Sequence, residues 1–493
     1  MRNGYAEPVS DHQGITGKGV SQRIMFSSLI QTFTNCFKIP ELKSRILFTA
    51  LLLGIVRLIS FVRVPGLDGA VLTEFFKAHS GDSGGVLGMY SLFTGGALER
   101  CSVGALGIMP YISATIIIQL LTAVYPPLSK LAREEGGRTK IVQYGRYLTV
   151  LLCFIQGAFM AINWKHPETL FPGINQLVLY PDSFAWFYYF QTVLVLTTAT
   201  MLLMWLGEQI TERGIGNGVS LIITIGIVAR MPAAVAATKG MFFPGGGLEA
   251  THTIVHGAVL LVMLVIVIGG IIAVTQAQRK IPVQYAQRAV GRKVYSGGTS
   301  FMPLRVNYAG VMPVIFASAI LMFPQKLFLM VSGAFKPQDG GFAKFVSETA
   351  GSIARTLNPG SVVYLALFGL MILFFSYFWV ATQFNELQIA DDLKKNGGYI
   401  PGVRPGQPTS DFLHTSMSRI TLAGAIFLTL IAVLPIILQN AMKIPPTVTD
   451  FFGGTSMLIT VGVMLDTMRQ IESHLLMRHY DGFLKKGKMR GRI

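Results

Sequence analysis

Long apolar runs separated by short charged stretches are the feature that most constrains this chain. Of its 493 residues, 51% are hydrophobic and 13% are charged, against about 25% charged residues in a soluble domain. A bilayer core needs about 20 apolar residues in a helix. The chain is therefore predicted to be an all-α polytopic membrane protein. Ten candidate spans centre on 45–63, 105–124, 147–164, 185–206, 218–238, 254–275, 309–333, 361–383, 419–439 and 454–472.

Basic residues are concentrated in alternate loops, and this predicts how the spans are oriented. The loops after the second, sixth and eighth spans hold most of them, together with the tail. The loops 165–184 and 440–453 each contain a single lysine, whereas 334–360 is a partial exception. Because cytoplasmic loops carry an excess of Lys and Arg, both termini are predicted to be cytoplasmic. The net charge of +17 then suits anionic lipid or an acidic partner better than nucleic acid.

The number of spans predicts two related halves. Five spans per half is an odd number, so the second half would be inverted relative to the first, as in inverted repeats. The halves share no convincing sequence identity, so this prediction depends on the arithmetic. The expected domains are a cytoplasmic extension at 1–40, a first half at 41–240, a second half at 241–473 with large cytoplasmic loops at 276–306 and 384–418, and a basic tail at 474–493.

Residues 86–104 depart from a simple span. The stretch VLGMYSLFTGGALERCSVG is moderately apolar and broken by Gly95-Gly96, so it is too short and too polar to cross a bilayer. Irregular backbone at membrane depth is tolerated only inside protein or against a water-filled cavity. Two interpretations stay open at this point. The stretch is either an ordinary extracellular loop helix or a re-entrant segment that enters the bundle.

Residues 281–305 form the second departure. Apolar residues alternate at Ile281, Val283 and Tyr285, after which the stretch becomes strongly basic. Alternation of this kind is typical of a strand. A structured, hairpin-like cytoplasmic loop is therefore favoured over a flexible linker.

Sequence signals for catalysis or metal binding are poor. His252 and His256 are spaced so that both imidazoles share one helix face, but a zinc site needs further ligands, and Glu249 is the local candidate. Interfacial histidines are the favoured interpretation. The glycine-rich stretch 213–218 has no strand before it and no Lys-Ser/Thr after it, which argues against a phosphate loop. No catalytic residue, metal site or cofactor is predicted.

Transport of a small solute is the alternative function. An ion-coupled transporter needs an acidic residue near mid-membrane, and Asp466 is the best candidate. It lies close to Arg469 in the sequence, so a structural ion pair is the simpler explanation. Arg57, late in the first span, is expected to pair or to extend outward. Neither pattern resembles a proton relay.

The second span begins with a helix breaker and carries a row of polar residues. Its sequence from Ala105 to Leu121 is ALGIMPYISATIIIQLL. Pro110 is best placed in the first turn of a helix and Gly107 permits the bend, so the helix is predicted to begin near Ile108. The side chains that are expected to face other helices or a wettable path are those of Ser113, Thr115 and Gln119.

This motif and four others resemble the bacterial SecY family of protein-translocating channels, in the same order and from about residue 40 to the C-terminus. The resemblance implies a channel for the secretion of unfolded polypeptides and for the lateral insertion of apolar segments. It also implies two inverted, pseudo-symmetric halves arranged as a clamshell with a central plug helix. The other motifs are MWLGEQITERGIGNGVSLII (204–223), NYAGVMPVIFAS (307–318), GYIPGVRPGQPT (398–409) and FGGTSMLI (452–459).

The resemblance further implies a pore that is closed by a ring of aliphatic side chains. Branched apolar side chains at a constriction exclude water and ions, so such a ring gates by dewetting. Val219 is one methylene smaller than the usual isoleucine, and about 0.8 kcal/mol per buried CH₂ is small against a whole ring. The matching positions are Ile108, Ile112, Val219, Ile223, Ile315 and Ile459.

Two moving parts are implied by the same resemblance. The 86–104 stretch matches the plug of the resting channel, which favours the re-entrant interpretation. A lateral gate is implied between the second and third spans on one side and the seventh and eighth on the other. Hydrogen bonds worth about 1 kcal/mol each would hold its seam. The implied plug residues are Met89, Phe93, Gly95, Gly96, Leu98 and Cys101, and the implied gate residues are Ser113, Gln119 and Asn307.

Partners are also implied by the resemblance. Gly and Pro are too dense in 398–409 for a helix, and they hold Arg404 on a protruding tip that would dock the SecA motor ATPase or the ribosome. Arg292 and Lys293 would contribute. Further implied partners are SecE-like and SecG-like small membrane subunits, signal-bearing precursor proteins and membrane lipids, without sequence-specific nucleic-acid binding. The implied location is the bacterial cytoplasmic membrane.

Overall fold

The computed structural model describes residues 39–486, apart from 79–90, 92, 135, 168–173, 175, 243–253, 286–287, 291–292, 296–297, 335–340, 359–360, 443 and 445. A helix lies at each of the ten predicted span positions. The expected N-terminal extension and the end of the basic tail lie outside the described residues.

The first half contains eight described α-helices. They are α1 (Pro40–Ile59), α2 (Gly69–Ala78), α3 (Met109–Val124), α4 (Pro126–Arg133), α5 (Gly137–Lys165), α6 (Ala185–Arg213), α7 (Gly218–Val228) and α8 (Met231–Phe242). The predicted fifth span is thus two helices, α7 and α8, that meet at a short turn.

The second half contains the remaining helices and the strands. They are α9 (Ile254–Gln276), β1 (Gln278–Tyr285), β2 (Arg288–Val290), β3 (Lys293–Tyr295), β4 (Thr299–Arg305), α10 (Met312–Ala334), α11 (Gly341–Thr356), α12 (Val362–Gln383), α13 (Glu386–Lys395), β5 (Gly398–Tyr399), α14 (Gln407–Met442), α15 (Pro446–Phe452) and α16 (Thr455–Lys486).

Six of the described helical segments are long and apolar enough to cross a membrane by length and composition. The pair α3 and α4 would make a seventh, and it is bent by 102° at Tyr125. Helices α1 and α16 carry more charge, and the described apolar part of α10 is shorter. On α9, Leu261, Val265 and Ile266 are all more than half exposed, which is the exposure that lipid-facing side chains require.

The hairpin predicted around 281–305 is confirmed. Strands β1 and β4 pair antiparallel, with Gln278 opposite Arg305 and Gln284 opposite Thr299, and β5 adds to the other edge of β1. The inward side chains of Ile281 and Val283 are buried together with residues of α12 and α14. The alternation in sequence therefore reflects one face of a sheet that packs on the ends of two spans.

Candidate functional site

The six aliphatic positions, which we call the waist, belong to one contiguous hydrophobic cluster. Five of their side chains are buried, with exposed fractions of 0 to 4%, and Val219 is half-buried. The helices that carry them form a series of pairwise contacts around the cluster. Helix α3 contacts α10, α10 contacts α16, and α16 contacts α7. The six side chains therefore pack together and are not scattered over the outer surface of the bundle. Their role as a pore ring stays a prediction.

The waist lies where its four helices begin. Ile112, Ile223, Ile315 and Ile459 all lie within the first six residues of α3, α7, α10 and α16. Three of these starts have a local cause in the sequence. Proline occupies the first turn of α3 and α10, where its missing N–H costs nothing.

Helix α7 starts from a side-chain cap instead. The Asn217 side chain accepts a hydrogen bond from the Ser220 backbone N–H at 3.2 Å, which satisfies a donor that the first turn leaves free. Val219 and Ile223 follow one turn apart, so they share a face of α7. The bend before α3 is at Gly107, as predicted, with φ of +58°.

The stretch 91–104, which we call the central segment, packs inside the bundle. Phe93, Leu98 and Cys101 are buried, with exposed fractions of 5, 0 and 0%. Among the predicted plug residues, Met89 lies outside the described part of the chain. From position 94 onward the backbone forms turns and not a continuous helix, because Gly95 and Gly96 adopt φ of +65° and +82°, which breaks helical geometry.

Backbone contact fixes the central segment against α7. A Cβ built on Gly95 would lie 2.9 Å from the Cα of Gly226, and a Cβ on Gly226 would lie 3.4 Å from the Gly95 nitrogen. The two glycines therefore permit an approach that larger residues would block. This contact makes the segment part of the interior and not an exposed loop.

Among the polar partners of the central segment are two arginines that the sequence reasoning did not assign to it. Arg57 on α1 donates from Nη1 to the Gly95 carbonyl oxygen at 3.1 Å. Arg230, at the turn between α7 and α8, donates to Ser91 Oγ at 2.7 Å and to Glu99 Oε1 at 2.6 Å. Arg230 and Glu99 are 131 residues apart, so no local pattern predicts their pairing.

The predicted gate residues lie near a helix–helix seam but do not bind one another. Helix α3, which carries Ser113 and Gln119, contacts α10. Asn307 donates from Nδ2 to the Gly310 carbonyl oxygen at 2.9 Å, which is a bond within its own loop. In the part of the chain that the structure describes, no hydrogen bond links these three side chains, and Gln119 Oε1 is a buried atom without a partner.

The predicted docking residues are only partly described. Arg404 is exposed on a turn between β5 and α14, where its carbonyl oxygen accepts from Thr409 Oγ1 at 2.8 Å. Gly402 and Gly406, which flank it, have φ of +84° and +103°. Lys293 begins β3, and Arg292 lies outside the described residues.

Asp466 and Arg469 form the structural ion pair expected of them. Arg469 Nη1 lies 3.7 Å from Asp466 Oδ1, and Arg469 Nη2 also donates to the Thr275 carbonyl oxygen at 2.5 Å. The ion pair lies within α16, and the bond from Arg469 to Thr275 links α16 to α9. Of the histidine pair and its candidate carboxylate, His252 and Glu249 lie outside the described residues.

These features define a class of protein: a multi-pass α-helical membrane protein whose two halves meet at an apolar waist, with an irregular segment packed beside it. A family profile described as SecY matches residues 102–468. The protein translocase subunit SecY of Chlamydia trachomatis is 42% identical over 468 residues, which are 94% of this chain and 99% of that protein. The chain therefore belongs to the SecY family.

Solved structures agree on the fold. A SecY structure whose plug domain is described as stabilising the closed channel and maintaining a membrane seal is similar with a TM-score of 0.55, at 18% identity, over 90% of this chain and 94% of that one. Sec61 in a canine ribosome–channel complex is similar with a TM-score of 0.52, at 17% identity, over the same shares. The fold is the ten-helix clamshell with a plug. The alternative of a small-solute transporter gains no support.

Proposed function

We propose that this chain is the protein-conducting channel subunit of a translocase, through which unfolded polypeptides cross the membrane and from which apolar segments enter lipid. Membership of the SecY family supports the channel function. The observation that carries the role of particular residues is that all six waist positions lie in one cluster, on four helices that contact one another.

The chemistry of the waist suits a non-specific conduit. Its aliphatic side chains form no hydrogen bonds with a passing chain, so they do not select among sequences. With no peptide present, an apolar constriction loses its water and blocks ions. Because each waist residue lies near a helix start, a small tilt of four helices would widen the constriction without disrupting their length.

The central segment is proposed to be the plug of the resting channel. Its burial against α7 and its hydrogen bond from α1 support a seat inside the first half. The seam between α3 and α10 is proposed as the lateral exit. Ser113, Gln119 and Asn307 would stabilise its closed form through contacts that change as the seam moves.

Energy and targeting are proposed to come from partners, since no catalytic step is assigned to this chain. Arg404, Arg292 and Lys293 would dock a motor ATPase or a ribosome on the cytoplasmic face. The sheet that precedes Arg404 packs against buried side chains of α12 and α14, and this packing restricts the position of the loop that carries Arg404. Small SecE-like and SecG-like subunits would complete the complex in the bacterial cytoplasmic membrane, with both termini in the cytoplasm.

The direct test is reconstitution into vesicles with a SecE-like subunit, a SecA-like ATPase and a signal-bearing precursor. We expect ATP-dependent protection of the precursor from external protease. A matched precursor without its signal segment should remain accessible to protease. Equal protection of both precursors, or protection of neither by an intact complex, would contradict the proposed function.

A further inference from the structure

The strongest polar contacts of the central segment form a closed triangle. Arg230 Nη2 lies 2.6 Å from Glu99 Oε1, Arg230 Nη1 lies 2.7 Å from Ser91 Oγ, and Ser91 Oγ donates to Glu99 Oε1 at 2.6 Å. Charge-assisted hydrogen bonds of this kind are short and stronger than neutral ones. Ser91 and Glu99, which lie on either side of the Gly95-Gly96 turn, are therefore both bonded to the guanidinium of Arg230.

Burial sets this ion pair apart from a surface pair. The side chains of Arg230 and Glu99 are 24% and 21% exposed, whereas those of Lys344 and Glu348 are 60% and 66% exposed. Exposed pairs contribute little to stability. The Arg230–Glu99 pair is half-buried, so breaking it leaves a charge that water solvates only in part. Loss of either Arg230 or Glu99 is therefore expected to weaken the attachment of the central segment.

All polar partners of the central segment come from one side of the clamshell. Within the described residues, every hydrogen bond and ion pair of 91–104 that leaves the segment ends on a partner between positions 57 and 230. Thr73 Oγ1, for example, donates to the Glu99 carbonyl oxygen at 3.0 Å. Separating the two halves would break none of these bonds.

We infer that Arg230, Glu99 and Ser91 form a latch that holds the plug on the first half of the channel and makes its release a step separate from opening the lateral seam. The inference rests on the proposed channel function and adds positioning residues to it. Arg230 and Glu99 touch no translocating chain in this account. They set how often the resting plug leaves its seat.

The test is the ion conductance of the complete, reconstituted complex in planar bilayers without precursor, for E99Q, R230Q and the double variant. We expect each single variant to raise the resting open fraction about tenfold, which corresponds to about 1.4 kcal/mol. The double variant should resemble either single variant, because both remove the same interaction. The matched control is R146Q, which breaks the ion pair of Arg146 Nη2 with Glu208 Oε2 at 2.8 Å in the same half but away from the segment.

Two outcomes would overturn the latch. One is resting conductance of both single variants equal to that of the unmodified complex, at normal abundance. The other is a double variant that multiplies the two single effects. If R230Q fails to assemble, S91A removes the two hydrogen bonds of Ser91 Oγ while keeping the ion pair of Arg230 with Glu99, and it should give a smaller rise. An S91A complex that conducts no more than the unmodified one would also contradict the latch.

The same preparations separate this inference from the channel function itself. The unmodified complex is supplied with a motor ATPase and a signal-bearing precursor. If it translocates the precursor while the variants show no leak, the latch alone is wrong. If the unmodified complex translocates nothing, the proposed function is wrong.

Discussion

The waist and the central segment share one hydrophobic cluster, but only the central segment is also held by directional polar bonds. The waist contributes aliphatic side chains to the cluster, and the segment contributes Phe93, Leu98 and Cys101. The segment is held in addition by the hydrogen bonds of Arg57 and Arg230 at 2.6 to 3.1 Å and by the close approach of two glycine backbones.

For the proposed channel, this difference predicts two seals with different physics. Apolar contacts are non-directional, so the waist can widen gradually around a chain and close again. The bonds of the segment depend on distance and angle, so the segment is either seated or released. A channel with both seals can yield to a polypeptide at the waist while its plug responds in an all-or-none manner.

The largest expected effect comes from making the waist polar. Ile223 is 1% exposed, and Ile223→Asn places an amide where dewetting requires apolar surface. Burying such a group costs about 1–3 kcal/mol, which favours hydration of the waist and a rise in resting conductance of up to about a hundredfold. Single-channel recording measures this change. Ile223→Leu keeps the apolar volume and should leave conductance near the unmodified level; equal conductance of the two variants would contradict the apolar seal.

A pair of adjacent glycines tests the seat of the segment. Gly95→Ala and Gly96→Ala share the strain of positive φ, about 1–2 kcal/mol, but a Cβ at Gly96 meets nothing nearer than Glu99 Oε2 at 3.8 Å. For Gly95→Ala alone, a Cβ would also lie 2.7 Å from Arg57 Nη1 and 2.9 Å from the Gly226 Cα, and this overpacking adds about 1–3 kcal/mol. The resting conductance of Gly95→Ala should therefore exceed that of Gly96→Ala by about tenfold. Similar conductance would mean that the close backbone approach does not hold the segment.

Substitution of Arg404 tests whether docking of the motor ATPase is independent of the waist and of the central segment. Arg404→Glu should slow motor-driven translocation about tenfold at low salt, because electrostatic complementarity mainly sets association rates. Its resting conductance should stay unchanged. Lys394→Glu, an exposed charge at the end of α13, is the matched control and should slow translocation less. Normal translocation by abundant Arg404→Glu protein would remove the docking role.

The smallest expected effect concerns the lateral seam. Gln119→Leu together with Asn307→Leu removes two polar groups, and interhelical hydrogen bonds in membranes average about 0.6 kcal/mol each. The total of about 1.2 kcal/mol should raise translocation of signal-less precursors about sevenfold. The resting plug should stay seated, since neither residue bonds to the central segment. Unchanged dependence on the signal segment would show that these side chains do not hold the seam.

Local patterns in the sequence predicted what local physics determines. The length of the apolar runs predicted the spans, and apolar residues at alternate positions predicted the β1–β4 hairpin. Gly107 and Pro110 predicted the start of α3. The burial of Phe93 and Leu98 agrees with a re-entrant segment, and the backbone forms turns from position 94 onward, where Gly95 and Gly96 have positive φ. Long-range side-chain pairing escaped prediction, because nothing near Glu99 in the sequence indicates Arg230.

The bend between α3 and α4 and the break between α7 and α8 were also missed. Pro126 and Pro127 follow directly after Tyr125, and a residue before proline avoids helical geometry, so the 102° bend had a signal in the sequence. The turn at Arg230 had a weaker one in Met231-Pro232. The first feature ends α3 at Val124, and the second places Arg230 within hydrogen-bond distance of Ser91 and Glu99.

The central claim is that a translocating polypeptide passes through the waist. The most direct measurement places single cysteines at Ile223 and Ile459, in a chain whose three native cysteines are replaced, and crosslinks them to a precursor stalled in the channel. Both positions should crosslink efficiently, while Leu261, which is 60% exposed on α9, should not. Crosslinks at Leu261 without crosslinks at Ile223 and Ile459 would show that the polypeptide takes another route.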